Sequence, residues 1–181
     1  MFRILRDNSG NFQGYRFLVV VLLPALVIYP FVSHFRFSFS DSVGARLFWK
    51  KECPEPLERW DLVEILPDPN DPFIPKPGRF GRPFCLIKRI GCLPGEIVER
   101  VGLHFWCRAP EMKYDLGLTK LKSRKGEPLT PYTYGDGDTK RFMVPDGSYF
   151  VIGNLTPHSY DSRYFGPVEK ERIKACFNAI F

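Results

Sequence analysis

Hydrophobic and polar positions divide this chain into one long apolar run and a series of short ones. From Phe17 to Phe35 there are 19 consecutive residues without Asp, Glu, Lys or Arg, flanked by Arg16 and Arg36. The centre of this stretch is apolar on every helical face, and as a helix it rises about 28 Å, close to the ~30 Å bilayer core. Pro24 and Pro30 break a soluble helix, but membrane spans tolerate them. Arg3, Arg6 and Arg16 stand ahead of it with only Asp7 opposing, which orients the N-terminus to the cytoplasm and exports the C-terminal part of the chain. The organisation expected is a cytoplasmic N-terminus at 1–16, a transmembrane anchor at 17–35 and an exported domain at 36–181. Two alternatives stay open. One is a buried core helix; the other is a cleaved secretory signal, with Val43-Gly44-Ala45 as a small-residue cleavage site.

Beyond residue 36 the pattern changes to short apolar runs between Gly and Pro breaks. Leu47-Phe48-Trp49, Leu62–Leu66, Phe84–Ile87, Ile97–Val101 and Tyr149–Ile152 are short, no more than about six residues each, and rich in β-branched and aromatic side chains, so they predict strands. His104 falls on a further aromatic strand. Val168–Ala175 predicts a short turn of helix before a last strand at Cys176–Phe181. The fold class is therefore mostly β, an antiparallel β domain behind a single transmembrane helix. Pro67 to Pro83 holds six prolines, each removing a backbone donor, and predicts an irregular surface connection. Residues 108–143 predict an irregular insertion carrying Lys113, Lys120, Lys122, Arg124, Lys125, Lys140 and Arg141. It reads as a solvated face, or as a basic contact to anionic lipid or a partner.

Composition narrows the picture in three places. A length of 181 residues allows one ordinary domain plus an appendage. A net charge of +6 admits a nucleic acid or an anionic membrane, but no aromatic-interleaved basic stripe or recognition helix is present, so nucleic-acid binding is not expected. Five cysteines stand at 53, 85, 92, 107 and 176. None are in CxxC spacing, so no zinc site is expected. In an oxidising compartment an odd count leaves at least one thiol free. Cys92 and Cys107 flank a hairpin pattern and predict a bridge; the alternative is that the cysteines are small half-buried hydrophobes.

Three stretches carry candidate chemistry. They are Ser38-Phe39-Ser40-Asp41-Ser42-Val43-Gly44-Ala45-Arg46-Leu47-Phe48, then Phe84–Val98 with Lys88-Arg89-Ile90 and Pro94-Gly95-Glu96, then Gly153–Val168 with Asp161-Ser162-Arg163-Tyr164-Phe165-Gly166. In this order, behind an anchor, they resemble the signal peptidase I family of membrane-bound serine peptidases, over roughly residues 36–103 and 144–175. The two-residue serine spacing before a small-residue turn, and the short exported domain, are similar to the conjugative-transfer (TraF-type) branch. There are departures. Gly153-Asn154-Leu155 replaces the usual Gly-Asp-Asn, Trp60-Asp61 replaces Gly-Asp, and Gly44 and Ala45 stand where a proline usually follows the serine.

The resemblance implies that Ser42 is the nucleophile and Lys88 the general base. It puts the Ser42 backbone N–H and the Ser40 hydroxyl in an oxyanion hole, has Ser159 hold the lysine amine, and makes Asp161 and Arg163 a bracing charged pair. The chemistry stands on its own terms. A serine hydroxyl needs a neighbouring base, and a lysine projecting from the apolar run Phe84–Ile87 becomes one when burial lowers its pKa. Strand alternation turns Arg89 to the opposite face. Alternatives remain: Lys88 as a surface lysine, and Ser159, Asp161 and Arg163 as a polar turn. Of the histidines, His34 reads as interfacial, His104 as structural, and His158 as a rival base for Ser42. No cofactor or metal is implied. The implied reaction is cleavage of signal or leader peptides by a serine peptidase of the bacterial inner membrane with a periplasmic catalytic domain. The implied partners are an exported precursor or pilin and membrane lipid. Rival readings are a general signal peptidase and a non-catalytic, membrane-anchored pilus assembly protein.

Overall fold

The computed structural model describes residues 13–38, 42–76, 84–133, 139–153 and 159–180, with the side chains of 13–19 and 139 left out. The chain forms two compact units, Met1–Arg36 and Phe37–Phe181. The first unit holds helix α1 (Gln13–Val32), which starts ahead of the apolar run and stops before its end. Pro24 and Pro30 both lie inside it. At its C-terminus the Ser33 hydroxyl donates to the Pro30 carbonyl (2.7 Å), which also meets His34 Nδ1 at 2.6 Å. Val20, Leu26, Val27 and Tyr29 are each 70% or more exposed. Among the described residues no helix is long and apolar enough to cross a membrane, side chains of α1 being described only from Val20 onward. Phe35, expected as the last residue of the anchor, opens a short strand, β1 (Phe35–Phe37).

The second unit is antiparallel β, as the short runs predict. Its strands are β2 (Leu47–Lys51), β3 (Leu62–Ile65), β4 (Leu86–Cys92), β5 (Ile97–Val101), β6 (His104–Arg108), β7 (Lys113–Leu118), β8 (Thr139–Met143), β9 (Ser148–Ile152), β10 (Val168–Glu169) and β11 (Ile173–Ala179). The larger sheet runs β2-β11-β3-β4-β9-β10 and the smaller β7-β6-β5-β8. Val63, Ile65, Ile90, Val151 and Cys176 bury against one another in the larger sheet. Val98, Phe105, Leu116, Phe150 and Ile152 form a second cluster that takes residues from both sheets. A disulfide between Cys92 at the end of β4 and Cys107 on β6 ties the sheets together. A second, Cys53–Cys176, closes a sequence separation of 123 residues onto β11. Cys85 belongs to neither bridge.

Two expectations are corrected. Val168–Ala175 is not a helix: only Lys170–Arg172 makes a 3-10 turn, between β10 and β11. The reason is pairing, since β11 lies between β2 and β3 and its core residues Ala175, Cys176 and Phe177 are buried there. Residues 108–143 are not irregular throughout, for β7 and β8 stand at their two ends. Nor are their cations all solvated. The buried Glu99 on β5 accepts from Arg108 (2.7 Å) and Arg141 (2.8 Å), and meets Lys113 at 3.1 Å. The Arg108 hydrogen bond leads in holding the Glu99 carboxyl down to about 2, with Arg141 and Lys113 adding to it against burial.

Trp60 is the one non-glycine residue with positive φ, at 71°, among those described. Its N–H donates to the Ile90 carbonyl (2.8 Å), its carbonyl accepts from Arg89 Nη1 (3.2 Å), and its ring meets Tyr114 edge-on at 6.4 Å. The turn therefore keeps a geometry that favours glycine although tryptophan occupies it. Trp60→Gly and Trp60→Ala both lose the ring contact, so their difference isolates the backbone. The glycine variant is expected to be more stable than the alanine variant by about 1 kcal/mol, measured by chemical denaturation.

Candidate active site

Lys88 sits in the middle of β4, flanked by Val63 of β3 at the paired position. On its other side the register Arg89↔Ile152 places Gly153, just past β9, beside it. The residue is buried, 3% exposed. Arg89 points elsewhere, its guanidinium donating to the Trp60 carbonyl, as strand alternation requires. Ser42 enters from the turn ahead of β2. That turn is pinned by Val43 and Ala45, which bury with Phe48, Leu62 and Phe177. Gly44 turns the chain with φ 75°, a conformation that costs glycine little, and so a loop without the usual proline still presents Ser42.

Ser42 (7% exposed) and Ser159 (4%) meet Lys88 from two sides. Lys88 Nζ lies 2.8 Å from Ser159 Oγ and 3.4 Å from Ser42 Oγ. Burial is the chief cause that lowers the Lys88 amine from 10.5 to about 8; Asp161 opposes it and Arg163 adds to it. About a tenth of the amine is then neutral at pH 7. A neutral amine at this distance can accept a proton from a hydroxyl.

Gly153 is where the backbone makes room. A Cβ built there would stand 2.1 Å from Ser159 Oγ and 2.9 Å from the Ser42 carbonyl oxygen. Gly153→Ala must therefore push both serines off the amine. Displacements near 1 Å cost about 10²-fold when they misalign a reacting group, and that is the expected loss in the rate at which Ser42 is modified by a serine-directed fluorophosphonate probe.

Asp161 and Arg163 stand behind Ser159. Their spacing predicts one side of an extended segment; instead Asp161 caps a four-residue helix, α2 (Ser162–Phe165), accepting from the Arg163 N–H. Its carboxylate also takes Arg163 Nε (2.8 Å), Arg163 Nη2 (2.6 Å) and the Gly153 N–H (2.9 Å). Arg163 Nη1 donates to the Leu116 and Leu118 carbonyls of β7 at 3.1 and 3.0 Å, and Nη2 to the Gly153 carbonyl at 3.2 Å. Burial alone would lower the Arg163 guanidinium, but its bonds and charge pairing with Asp161 outweigh this and raise it. Ser162, which sequence reasoning passed over, accepts the Val151 N–H at 2.9 Å and fastens α2 to β9.

Five of the six expected site residues thus converge: Ser42, Lys88, Ser159, Asp161 and Arg163. Ser40, the sixth, lies outside the described residues, as do His158, Asn154 and Leu155. His104 is away on β6, paired with Asp115 at 2.7 Å and stacked on Trp106, the structural place expected of it. Cys92 and Cys107 form a group with Glu96 of the kind that holds metals, but both sulfurs are committed to the disulfide.

Known proteins resemble this chain in sequence. The profile of the family described as signal peptidase, peptidase S26, matches residues 13–181. Signal peptidase I V of Bacillus subtilis (strain 168) is 32% identical over 92 residues, covering 49% of this chain and 52% of that protein. Signal peptidase I of Aquifex aeolicus (strain VF5) is 46% identical over 39 residues, covering 22% of this chain and 15% of that protein. The chain therefore matches about half the length of the first of these relatives and less of the second. The crystal structure of a signal peptidase I from Enterococcus faecalis V583 is similar at 26% identity and a TM-score of 0.39, covering 70% of this chain and 100% of that one.

Proposed function

The chain belongs to the signal peptidase, peptidase S26, family, and from that premise we propose that it is a membrane-anchored serine endopeptidase cutting leader peptides from exported precursors. The observation that carries this reading is the buried amine of Lys88, held at 2.8 Å from Ser159 Oγ and 3.4 Å from Ser42 Oγ. Ser42 Oγ attacks the scissile carbonyl carbon and Lys88 Nζ takes its proton. The resulting ammonium protonates the leaving amine as the peptide C–N bond breaks. Lys88 then accepts a proton from water, whose oxygen attacks the acyl-serine. Collapse returns the hydroxyl of Ser42 and leaves a free carboxylate. The Ser42 N–H and Ser40 hydroxyl stabilise the developing oxyanion, each donor worth ~10²–10³ in rate.

Three observations support the location. The run 17–35 carries no charged side chain, and three arginines precede it. Two disulfides join parts of the domain, which fits an oxidising compartment. Ser42 follows Arg36 by six residues, about 20 Å of extended chain, so the substrate is a precursor held at the same membrane, with small residues before the cut. The anchor is tested by alkaline carbonate extraction: the full chain is expected in the membrane pellet, and a chain lacking residues 1–35 in the supernatant. Recovery of both in the supernatant rejects it.

The Ser40/Ser42 spacing, which resembles the conjugative-transfer branch, favours a conjugative pilin precursor over general secretory substrates. Incubating wild type and Ser42→Ala with candidate pilin precursors, followed by product mass, tests this. Cleavage by wild type alone supports the reading, and equal products from both reject Ser42 as nucleophile.

A further inference from the structure

Glu99 engages Arg108, Lys113 and Arg141, but the next cations along the chain are placed differently. A cavity of about 440 Å³ opens between residues 72–75 and 120–129. Phe73, Tyr160 and Tyr164 give it an aromatic wall, with Tyr160 5.2 Å from Phe73 and stacked on Tyr164 at 5.4 Å. Lys120, Lys122, Arg124 and Lys125 line it too, with Glu127 the single carboxylate among the described lining residues. Among the described residues no carboxylate pairs with Lys122, Arg124 or Lys125. Lys122, Arg124 and Lys125 against one described carboxylate on a concave aromatic surface make an arrangement complementary to an anionic ligand that also carries apolar surface.

The wall is built rather than incidental. The Tyr160 hydroxyl donates to Asp71 at 2.7 Å, fixing the 72–75 segment against it. The Tyr164 hydroxyl accepts the Lys120 N–H at 2.8 Å, fixing the start of the basic loop. Lys122 bridges to Pro128 and Ser123 N–H donates to Glu127 O, so the loop closes on itself. Tyr160 also sits between Ser159, which meets the Lys88 amine, and Asp161, which pairs with Arg163. One run of three residues therefore faces both the candidate dyad and this cavity, with adjacent Cα atoms ~3.8 Å apart.

We propose that the cavity receives an acidic side chain of the precursor, within a few residues of the bond that is cut. This rests on the peptidase reading, because it makes the occupant continuous with the chain that lies at Ser42. That continuity favours a peptide carboxylate over a lipid headgroup, which would have no reason to share the wall of the dyad.

The test uses the full chain in neutral detergent and synthetic precursor-like peptides with small residues before the cut. Each peptide carries Asp at one position within five residues of the cut, and is compared with its Asn counterpart. At one position the Asp peptide is expected to have about fivefold higher kcat/KM, an advantage that shrinks at 0.5 M salt. The Lys122→Glu, Arg124→Glu double variant is expected to reverse the ratio. Equal rates for Asp and Asn at every position overturn the proposal. If no peptide is cut, the peptidase reading fails separately. Binding of the same peptides to Ser42→Ala then decides the subsite, tighter binding of Asp supporting it and equal binding overturning it. Flotation with phosphatidylglycerol vesicles covers the lipid source: loss of vesicle binding in the double variant with an unchanged Asp/Asn ratio overturns the peptide assignment.

Discussion

Replacing Lys88 with methionine is expected to abolish cleavage and, at pH 6, to make the protein more stable. Both effects come from the same burial. The amine is 3% exposed, and desolvation, its leading perturbation, lowers it from 10.5 to about 8. Between those two values the unfolded chain holds the proton and the folded chain does not, so stability rises with pH across that window. Below about pH 8 both states are protonated and the folded protein bears the full cost of a buried ammonium, about 3 kcal/mol at ~1.4 kcal/mol per tenfold. Methionine removes that cost and keeps the volume. The variant's advantage in denaturation should be near its maximum at pH 6 and shrink as pH climbs from 8 toward 10. The lost bond to Ser159 offsets part of it.

The catalytic half has the opposite preference. In the proposed mechanism cleavage needs the neutral amine, so wild-type kcat/KM should rise about tenfold per pH unit up to about 8 and then level. Ser42→Ala and Lys88→Met should each lose at least ~10³-fold, as removal of one member of a nucleophile–base unit does. A flat profile from pH 5 to 9, or a Lys88→Met variant less stable than wild type at pH 6, would sink the buried base.

What the sequence made legible was whatever left a local signature. β2, β3, β5 and β9 are short runs that bury Phe48, Val63, Val98 and Val151, and such runs announce strands. β7 and β8 did not announce themselves. Lys113-Tyr-Asp-Leu-Gly-Leu buries only Leu116 and exposes Leu118, and a strand so placed looks polar and irregular. α2 is four residues long, too short for any 3.6-residue period to register. Val168–Ala175 misled in the other direction, because Lys170, Glu171, Arg172 and Lys174 make it look solvated like a helix while Ala175, with Cys176 and Phe177 after it, completes a sheet. The Cys92–Cys107 bridge could be guessed from a hairpin; Cys53–Cys176 spans most of the domain and has no local sign.

The site was legible through the order of three motifs and hardly at all through physics. Nothing in Phe84–Cys92 alone distinguishes a buried lysine from a surface one, since the partner strands that cover Lys88 arrive from positions 62–65 and 148–153. Gly153 had a reason that only coordinates reveal: Ser159 occupies the space a side chain would need. At position 60 tryptophan stands where the family usually has glycine. In three dimensions the tryptophan itself carries the positive φ that favours glycine.

Arg163→Met is expected to be the most destabilising substitution at the site, by about 3–5 kcal/mol. Asp161 is fully buried and Arg163 is 3% exposed, and breaking such a pair strands a charge in a dry environment. The guanidinium also donates to the carbonyls of Leu116, Leu118 and Gly153, so methionine leaves those three acceptors short as well. Arg163→Lys should fall between wild type and methionine, because one ammonium cannot reproduce a fork that bonds a carboxylate on one side and β7 on the other. Adding Asp161→Asn to Arg163→Met should recover part of the loss, since the uncompensated charge is gone, and a double-mutant cycle would read that coupling.

A purely structural brace would stop there, and a second readout separates the two roles. Asp161 raises the Lys88 amine and Arg163 lowers it. Removing Arg163 alone should move the midpoint of the pH–activity curve above 8, whereas Asp161→Asn should move it below. A stability loss under about 1 kcal/mol for Arg163→Met would show that the pair bears little of the fold. Midpoints that stay in place for both variants would show that it holds Ser159 without tuning the amine.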